Sequence, residues 1–525
     1  MLNTLPTFRN AQSSHGWGFF GRFSAFLAGS AGLAFLAGLM ALAGLGGERA
    51  PMPHSAGEDN SRQAKAAIVP QPRVQIDLAG LEIDGAYAVE VTVTLSAPAK
   101  ALDFGPLLHV PGTEISQRQH HWTITGDHHA FVERASRLYA VRTDGDAFSR
   151  LRFRARVTPP YITGDYQPAF LMTTPDQMPV IGLYTGHFWP FDDLGRRLPV
   201  SFSLATATGT VQGAQNLPAV WPPSADHQRP AHPAFVFFSA QGPRAGATHY
   251  ALTDAALPDW IKTEAAALTD DTLDALAAGF GWPLSEKPLV ILAKAGTALS
   301  ATQSTAGDRG LFRFAGDALP GQVLTVFDGA PWNTPSATGR AILRRALVHE
   351  LVHLWQARIR PQSSDVPAWI HEGAAEAITA EVLAQMGIWD AGAVAAFHRK
   401  AKDDCNEGAR YRRFDQLAKA DAFRTVYACG HMLARLAAMP APGTAPGKTP
   451  VMDFWRAFIR EGEGQNARYS LESWLAFTAA RTGNPPRATA IRQFLARKWP
   501  LPAARLEQIG QIEAPAQGQS QPASE

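Results

Sequence analysis

The sequence predicts a multidomain chain. It runs from an N-terminal membrane segment through a β-rich antiparallel sandwich and a region of mixed helices and strands to a helical C-terminal part. Three observations predict it. A long uncharged run lies near the start of the sequence, period-two alternation with dense Pro and Gly fills the next stretch, and helical periodicity takes over after Thr253.

The 525 residues are 46% hydrophobic, enough for more than one core, at roughly 100–200 residues per domain. Basic and acidic side chains number 48 and 46, a net charge of +2. A nucleic-acid binder would carry a clear basic excess, so no nucleic-acid partner is expected. The cysteines are Cys405 and Cys429, with no Cys-x-x-Cys, which excludes a thiolate metal site or a thioredoxin-like redox motif. Two cysteines permit one disulfide if the chain is exported; two buried free thiols are the other reading.

Residues 1–22 contain Arg9 and Arg22 and no acid, so the positive-inside rule keeps this end cytoplasmic. Phe23 to Gly47 is 25 residues without a charge, long enough to cross a hydrocarbon core of ~30 Å. Ala41-Leu42-Ala43 offers a signal-peptidase site, but a signal core spans only about 7–15 residues, so the length favours an uncleaved anchor. On either reading the rest of the chain is expected outside the cytoplasm: anchored, periplasmic in a Gram-negative cell, or secreted after cleavage.

Residues 48–72 are polar and proline-bearing and read as a linker. Residues 73–253 read as the β-rich domain. Val89, Val91, Val93 and Leu95 alternate with Glu90, Thr92 and Thr94, the pattern of a half-buried strand. Leu151, Phe153, Ala155 and Val157 alternate with Arg150, Arg152, Arg154 and Arg156. That arginine comb is read as a solvated strand face rather than an anion site, since alternation alone explains it.

Residues 254–385 mix the two patterns. Trp260–Phe280 reads as helix, Leu289–Leu292 and Val323–Phe327 as strands, and Arg340–Arg358 as a long helix. A second helix is expected from about Val366, with Asp365 as N-cap and Pro367 in its first turn. Residues 386–513 read as mostly helical, for example Met452–Glu461 and Leu471–Thr482, and 514–525 as a disordered tail.

His349-Glu350-Leu351-Val352-His353 lies within the long helix. Positions i and i+4 share a helical face, so both imidazoles can reach one ion. Glu350, one residue after the first histidine, can approach an attacking water without becoming a ligand, the general-base position of a metalloprotease. Trp369-Ile370-His371-Glu372-Gly373 lies on the next helix, with 18 residues between His353 and Glu372. His349, His353 and Glu372 are therefore the candidate metal ligands, one Zn2+ per chain, with a fourth position left open. Glu376, one turn beyond, is placed to fix a ligand imidazole. His371 and His431 are read as structural.

His-Glu-x-x-His, an 18-residue gap and Glu in a Trp-x-x-Glu-Gly context resemble the gluzincin metallopeptidases of the alanyl aminopeptidase and leukotriene hydrolase family. The run His353-Leu354-Trp355-Gln356-Ala357-Arg358-Ile359-Arg360-Pro361 is also similar to the glycyl aminopeptidase family. The match covers mainly residues 340–380, with a weaker extension to about 435. The resemblance implies a thermolysin-like α+β catalytic domain at 254–385, zinc, and a peptide or protein substrate.

It also implies a role for Tyr427, 55 residues after Glu372, as the phenol that stabilises the oxyanion, although Cys429 stands where the family has lysine. The family's Gly-x-Met-Glu-Asn motif, whose glutamate holds a substrate amine, is missing. The loop after Val323–Phe327 reads Asp328-Gly329-Ala330-Pro331-Trp332-Asn333, so little preference for a free amine is expected unless Asp328 substitutes. The Val323–Phe327 strand is the one expected to pair with an extended peptide. Other hydrolytic chemistry on the same metal, or a binding factor with a vestigial site, are the alternatives; intact Glu350 speaks against the second.

Overall fold

The structure is a computed structural model. It describes residues 74–107, 116–162, 166–192, 195–204, 214–221, 233–296, 312–362, 366–417, 423–439, 449–463 and 467–512. Among these, no helix is long and apolar enough to cross a membrane. That corrects the fold class expected above: its N-terminal membrane segment has no counterpart in the described fold. Asp259–Phe280, at 22 residues, has the length but carries Asp259, Lys262, Glu264, Asp270, Asp271 and Asp274 and buries one stripe of apolar residues. The segment expected to span, 23–47, lies outside the described residues, as do 1–22, the linker, the tail and Asp365.

Three sheets build the β-rich part. β1 (Val74–Ile83), β2 (Ala86–Ala99), β4 (Trp122–Ile124), β7 (Phe148–Arg156), β10 (Val200–Leu204) and β11 (Ala214–Leu217) form one, in the order β10-β1-β2-β7-β4 with β11 also on β1. β3 (Ala101–Pro106), β5 (His129–Arg134) and β6 (Arg137–Arg142) form the second, and β8 (Ala169–Thr173), β9 (Pro179–Tyr184), β12 (Ala219–Trp221) and β13 (Phe235–Phe238) the third. Pairing within them is antiparallel except between β1 and β10. The period-two pattern works as physics requires: Val89, Val91 and Val93 are fully buried, as are Leu151, Phe153 and Ala155 on β7. On the other face Arg152 and Arg154 flank Glu90 at 2.6 and 3.8 Å.

The third sheet is buried on both faces. Ile181, Leu183, Val236 and Phe238 join the core shared with the first two sheets, while Val180, Tyr184, Phe235 and Phe237 join a second core with Leu289, Ile291 and Leu319. That is why Phe235–Phe238 is apolar at every position. It welds the β-rich part to the next sheet, where Gln322 exchanges two 2.8 Å hydrogen bonds with the Phe235 backbone.

That next sheet has the order β14-β15-β16-β18-β17, from β14 (Arg244–Ala245), β15 (Tyr250–Thr253), β16 (Leu289–Lys294), β17 (Arg313–Leu319) and β18 (Gln322–Asp328). β15, β16 and β18 are parallel, and β17 runs antiparallel along β18 as the edge. The helices are α1 (Gln117–His121), α2 (Asp259–Phe280), α3 (Ala337–Gln356), α4 (Trp369–Gln385), α5 (Ala391–Ala409), α6 (Phe414–Leu417), α7 (Phe423–Ala437), α8 (Pro450–Glu463), α9 (Leu471–Thr482), α10 (Pro485–Ala496) and α11 (Pro502–Gly510). From α2 onward they share one large core, packed on the face of the sheet that presents Val290, Leu292, Val323 and Phe327. Cys405 of α5 and Cys429 of α7 are disulfide-bonded.

Candidate metal centre

α3 begins at Ser336, whose side chain caps Gly339 N–H, and runs through the core so that His349 and Glu350 are buried. α4 begins at Trp369, three residues later than expected, and places Glu372 in its first turn. His349 Nε2, His353 Nε2 and Glu372 Oε2 converge: His349 to Glu372 is 3.2 Å, His353 to Glu372 3.4 Å and the two imidazole nitrogens 3.2 Å apart. His349, His353 and Glu372 are the one group of this kind among the described residues able to hold a metal ion.

The triangle tests whether zinc fits. Four tetrahedral ligands at ~2.0–2.1 Å from a common centre lie about 3.3 Å from one another, the spacing these three atoms have. The outer atoms are held as a metal site needs. His353 Nδ1–H donates to Gln356 Oε1 at 2.7 Å, leaving the Nε2 lone pair facing inward. His349 Nδ1 faces Glu376 Oε1 at 3.3 Å, and Arg345 holds the other Glu376 oxygen at 2.8 Å.

The electrostatics call for a cation. Burial would lower the His349 imidazole, but hydrogen bonds to Glu372 and Glu376 and the negative charge around it push it up to about 10. Burial would raise Glu372, but His353 and the His349 hydrogen bond hold it well below the usual range. Glu376 is likewise held down to about 2, against burial, mainly by Arg345. For Glu350 burial dominates: with the charges of Glu372 and Glu376 added it pushes the carboxyl up to about 8, although His349 pulls the other way. Its carboxylate lies over β17, so close to Gly316 that a Cβ there would fall 2.4 Å from Glu350 Oε1.

Tyr427, on α7, stacks on the His349 ring at 5.5 Å. Burial, the charges of Glu372 and Glu350 and a hydrogen bond to Glu372 raise its phenol well above the usual value, so it remains a donor. His371 lies at the site as well, with Nε2 3.5 Å from Glu372 Oε1 and its ring 6.0 Å from that of His353. His431 does not join this group; it pairs with His398 at 2.8 Å.

Two expectations about the substrate side change. β18 is bonded on both sides, by β16 and β17, so it has no edge to offer; among the described residues β17 is the edge strand, and it lies beside Glu350. Asp328 is paired with Arg313 at 3.4 Å, whereas Asp317 of β17 lies within electrostatic reach of Glu350 and Glu372, on the sheet face it shares with Leu324 and Val326. Burial and the charge of Glu350 push Asp317 well above the usual carboxylate range, Tyr166 bonds to it, and its Oδ2 has no hydrogen-bond partner among the described residues. It lines a small cleft walled by Tyr161, Tyr166, Phe170 and Phe235 from the β-rich part and by Val326. No periodicity marks Arg313–Leu319, because Gly316 and Asp317 interrupt the apolar pattern of an edge strand. Gln356 was within reach of helix geometry, lying three residues after His353.

The resemblance to the aminopeptidases holds at the level of the fold. An aminopeptidase N family protein from Idiomarina loihiensis aligns with a TM-score of 0.51 at 12% identity, covering 83% of this chain and 78% of that one. Yeast LTA4 hydrolase, native and in complex with bestatin, aligns at TM-scores of 0.40 and 0.42, each 12% identical. Those alignments cover 78% and 82% of this chain and 64% and 68% of theirs. Neither a protein-family model nor a curated protein sequence matches the chain.

Proposed function

We propose that the chain is a zinc metallopeptidase that attacks peptides from a free amino end. The observation that carries the hydrolytic reading is the triangle of His349 Nε2, His353 Nε2 and Glu372 Oε2 with Glu350 buried beside it and outside it. A zinc ion held there would lower the pKa of a water and polarise a carbonyl as a Lewis acid.

The chain's own groups do the rest. Glu350 accepts the proton of the attacking water and passes it to the leaving amine. The Tyr427 phenol donates to the oxygen that becomes negative in the tetrahedral intermediate, a contribution of ~3–4 kcal/mol in comparable oxyanion sites. Among the described residues β17 ends its sheet, and beyond Phe314 it offers N–H and C=O groups to an extended peptide. Asp317 sits on that edge and carries an orphaned buried carboxylate oxygen. A substrate ammonium would supply the counter-charge that this oxygen lacks, which favours the amino end of a peptide over its interior. The disulfide fits a chain that matures in an oxidising compartment.

The test is zinc content and turnover of the purified chain on a mixed peptide library beside ester and epoxide substrates. About one zinc per chain is expected, lost in His353→Ala and Glu372→Ala. In Glu350→Gln zinc is kept and peptide cleavage falls to background. Equal zinc loss in all three variants would overturn the assignment of the base. Cleavage of esters or epoxides with no cleavage of peptides would overturn the peptidase reading.

A further inference from the structure

Glu372 offers the centre only one of its two oxygens. Oε2 points at both histidines, while Oε1 is buried with no hydrogen-bond partner of normal length. His371 Nε2 lies 3.5 Å from Oε1, and the other nitrogen of that ring, Nδ1, lies 3.2 Å from the Tyr469 hydroxyl. Tyr469 is buried on the short strand β20 (Arg468–Tyr469), which pairs with β19 (Arg360–Pro361) just beyond α3. The His371 carbonyl accepts from Gln356 Nε2 at 3.1 Å, and Gln356 is the residue that orients His353. His371 is thus tied at three points, to both ligand-bearing helices and to the C-terminal part.

The carboxylate selects the tautomer. With a proton on Nδ1, the Nε2 lone pair would face Glu372 Oε1, two acceptors in contact with nothing between them. With Tyr469 O–H donating to Nδ1, the proton sits on Nε2 and points at Oε1. We propose that Tyr469 and His371 are positioning residues that hold Glu372 Oε1 out of the metal site. The ligand carboxylate is then monodentate, and a coordination position stays open for water. A group that orients a ligand in this way changes metal affinity by about 10–100-fold when removed. The proposal rests on the metal-site reading above, and not on the choice of substrate.

The experiment uses the full chain, with zinc affinity measured by competition against a chromogenic chelator. Visible absorption of the cobalt-substituted protein reports coordination number. For His371→Leu, affinity falls about 10–100-fold, and the cobalt bands weaken as the carboxylate becomes bidentate and the site five-coordinate. His371→Gln, whose amide N–H can reach the same oxygen, restores affinity to within about threefold and restores the bands; Tyr469→Phe falls between the two. Wild-type affinity and bands in His371→Leu would overturn the proposal, and so would equal losses in His371→Gln, which would make the residue a packing element only. If the wild-type chain binds no metal, the ligand assignment falls, and this proposal with it.

Discussion

α4 and α7 cross in backbone contact, and this contact sets where Tyr427 stands. A Cβ on Gly373 would fall 2.1 Å from the Gly430 carbonyl carbon and 2.3 Å from its Cα; on Gly430 it would fall 2.8 Å from the Trp369 carbonyl oxygen. Ordinary contact begins at 3.4 Å, so Gly373→Ala requires about 1.3 Å of separation and Gly430→Ala about 0.6 Å. Neither obstruction is a flexible side chain that can swing away. The helices themselves must part, against the disulfide that ties α7 to α5 one residue from Gly430.

Tyr427 is one residue short of a full turn before Gly430, and it moves with the helix. Overpacking of this kind costs ~1–3 kcal/mol, and at ~2.1 cal/mol/K of unfolding entropy per residue each kcal/mol lowers the Tm of a chain of this size by about 1 °C. A catalytic group misplaced by ~1 Å costs on the order of 100-fold in rate. Gly373→Ala should therefore lose about 100-fold in kcat/KM, Gly430→Ala clearly less, and Tm should fall in the same order. Gly430→Ala leaves the ligand-bearing helices intact in sequence and should keep its zinc. The control is Gly242→Ala, where an added Cβ meets nothing within 4 Å. The assay is kcat/KM on one good peptide, with zinc content and thermal unfolding followed in parallel. Wild-type Tm and rate in Gly373→Ala, or the reverse order of the two variants, would refute the reasoning.

Two further outcomes are expected. If Asp317 anchors an ammonium, free-amine peptides should exceed their N-acetylated forms in kcat/KM by about 100-fold or more, and Asp317→Asn should reduce that ratio to within about tenfold; a ratio near one in the wild type would remove the anchor. Glu381 of α4 accepts the backbone N–H groups of Val451 and Met452 at 2.8 and 3.0 Å, and burial, with Asp453 adding repulsion, pushes it up to about 8. A carboxyl raised in the folded state holds its proton longer there than in the unfolded chain. Its contribution to stability is thus present below about 4.5 and is lost as pH rises through about 8. Urea unfolding from pH 5 to 9 should show Glu381→Gln gaining on the wild type as pH rises, and a constant difference would count against the buried charge.

What could be read from the sequence was what is local to one helix or one strand. His349 and His353 share a face because four residues make about one turn, and Glu372 was found because its helix follows closely. The Val89–Leu95 and Leu151–Val157 alternations also needed nothing beyond their own periodicity. The parts that escaped are set by partners far along the chain. Asp317 matters because β17 became an edge and Glu350 of α3 was laid over Gly316. The sequence pattern points instead to the loop after β18, which the sheet order turns into an interior strand. Phe235–Phe238 gave no period because both its faces are buried, and Tyr469 lies 98 residues from the histidine it bonds.

Gly373 and Gly430 show how the two kinds of information meet. Both stand inside motif residues whose neighbours, Glu372 and Tyr427, carry the proposed chemistry, and a reading of the motif alone treats the glycines as its punctuation. The crossing gives them a separate reason to be there. Glycine on both helices lets their backbones touch at the crossing, and that contact sets how the Tyr427 phenol stands to Glu372. The same closeness stacks Tyr427 on His349 of a third helix, so α3, α4 and α7 are fixed by one contact. Substrate chemistry is therefore expected to be coupled to helix packing at this point, and one methyl group added at either glycine, neither of them a proposed ligand or catalytic residue, should be felt in the rate.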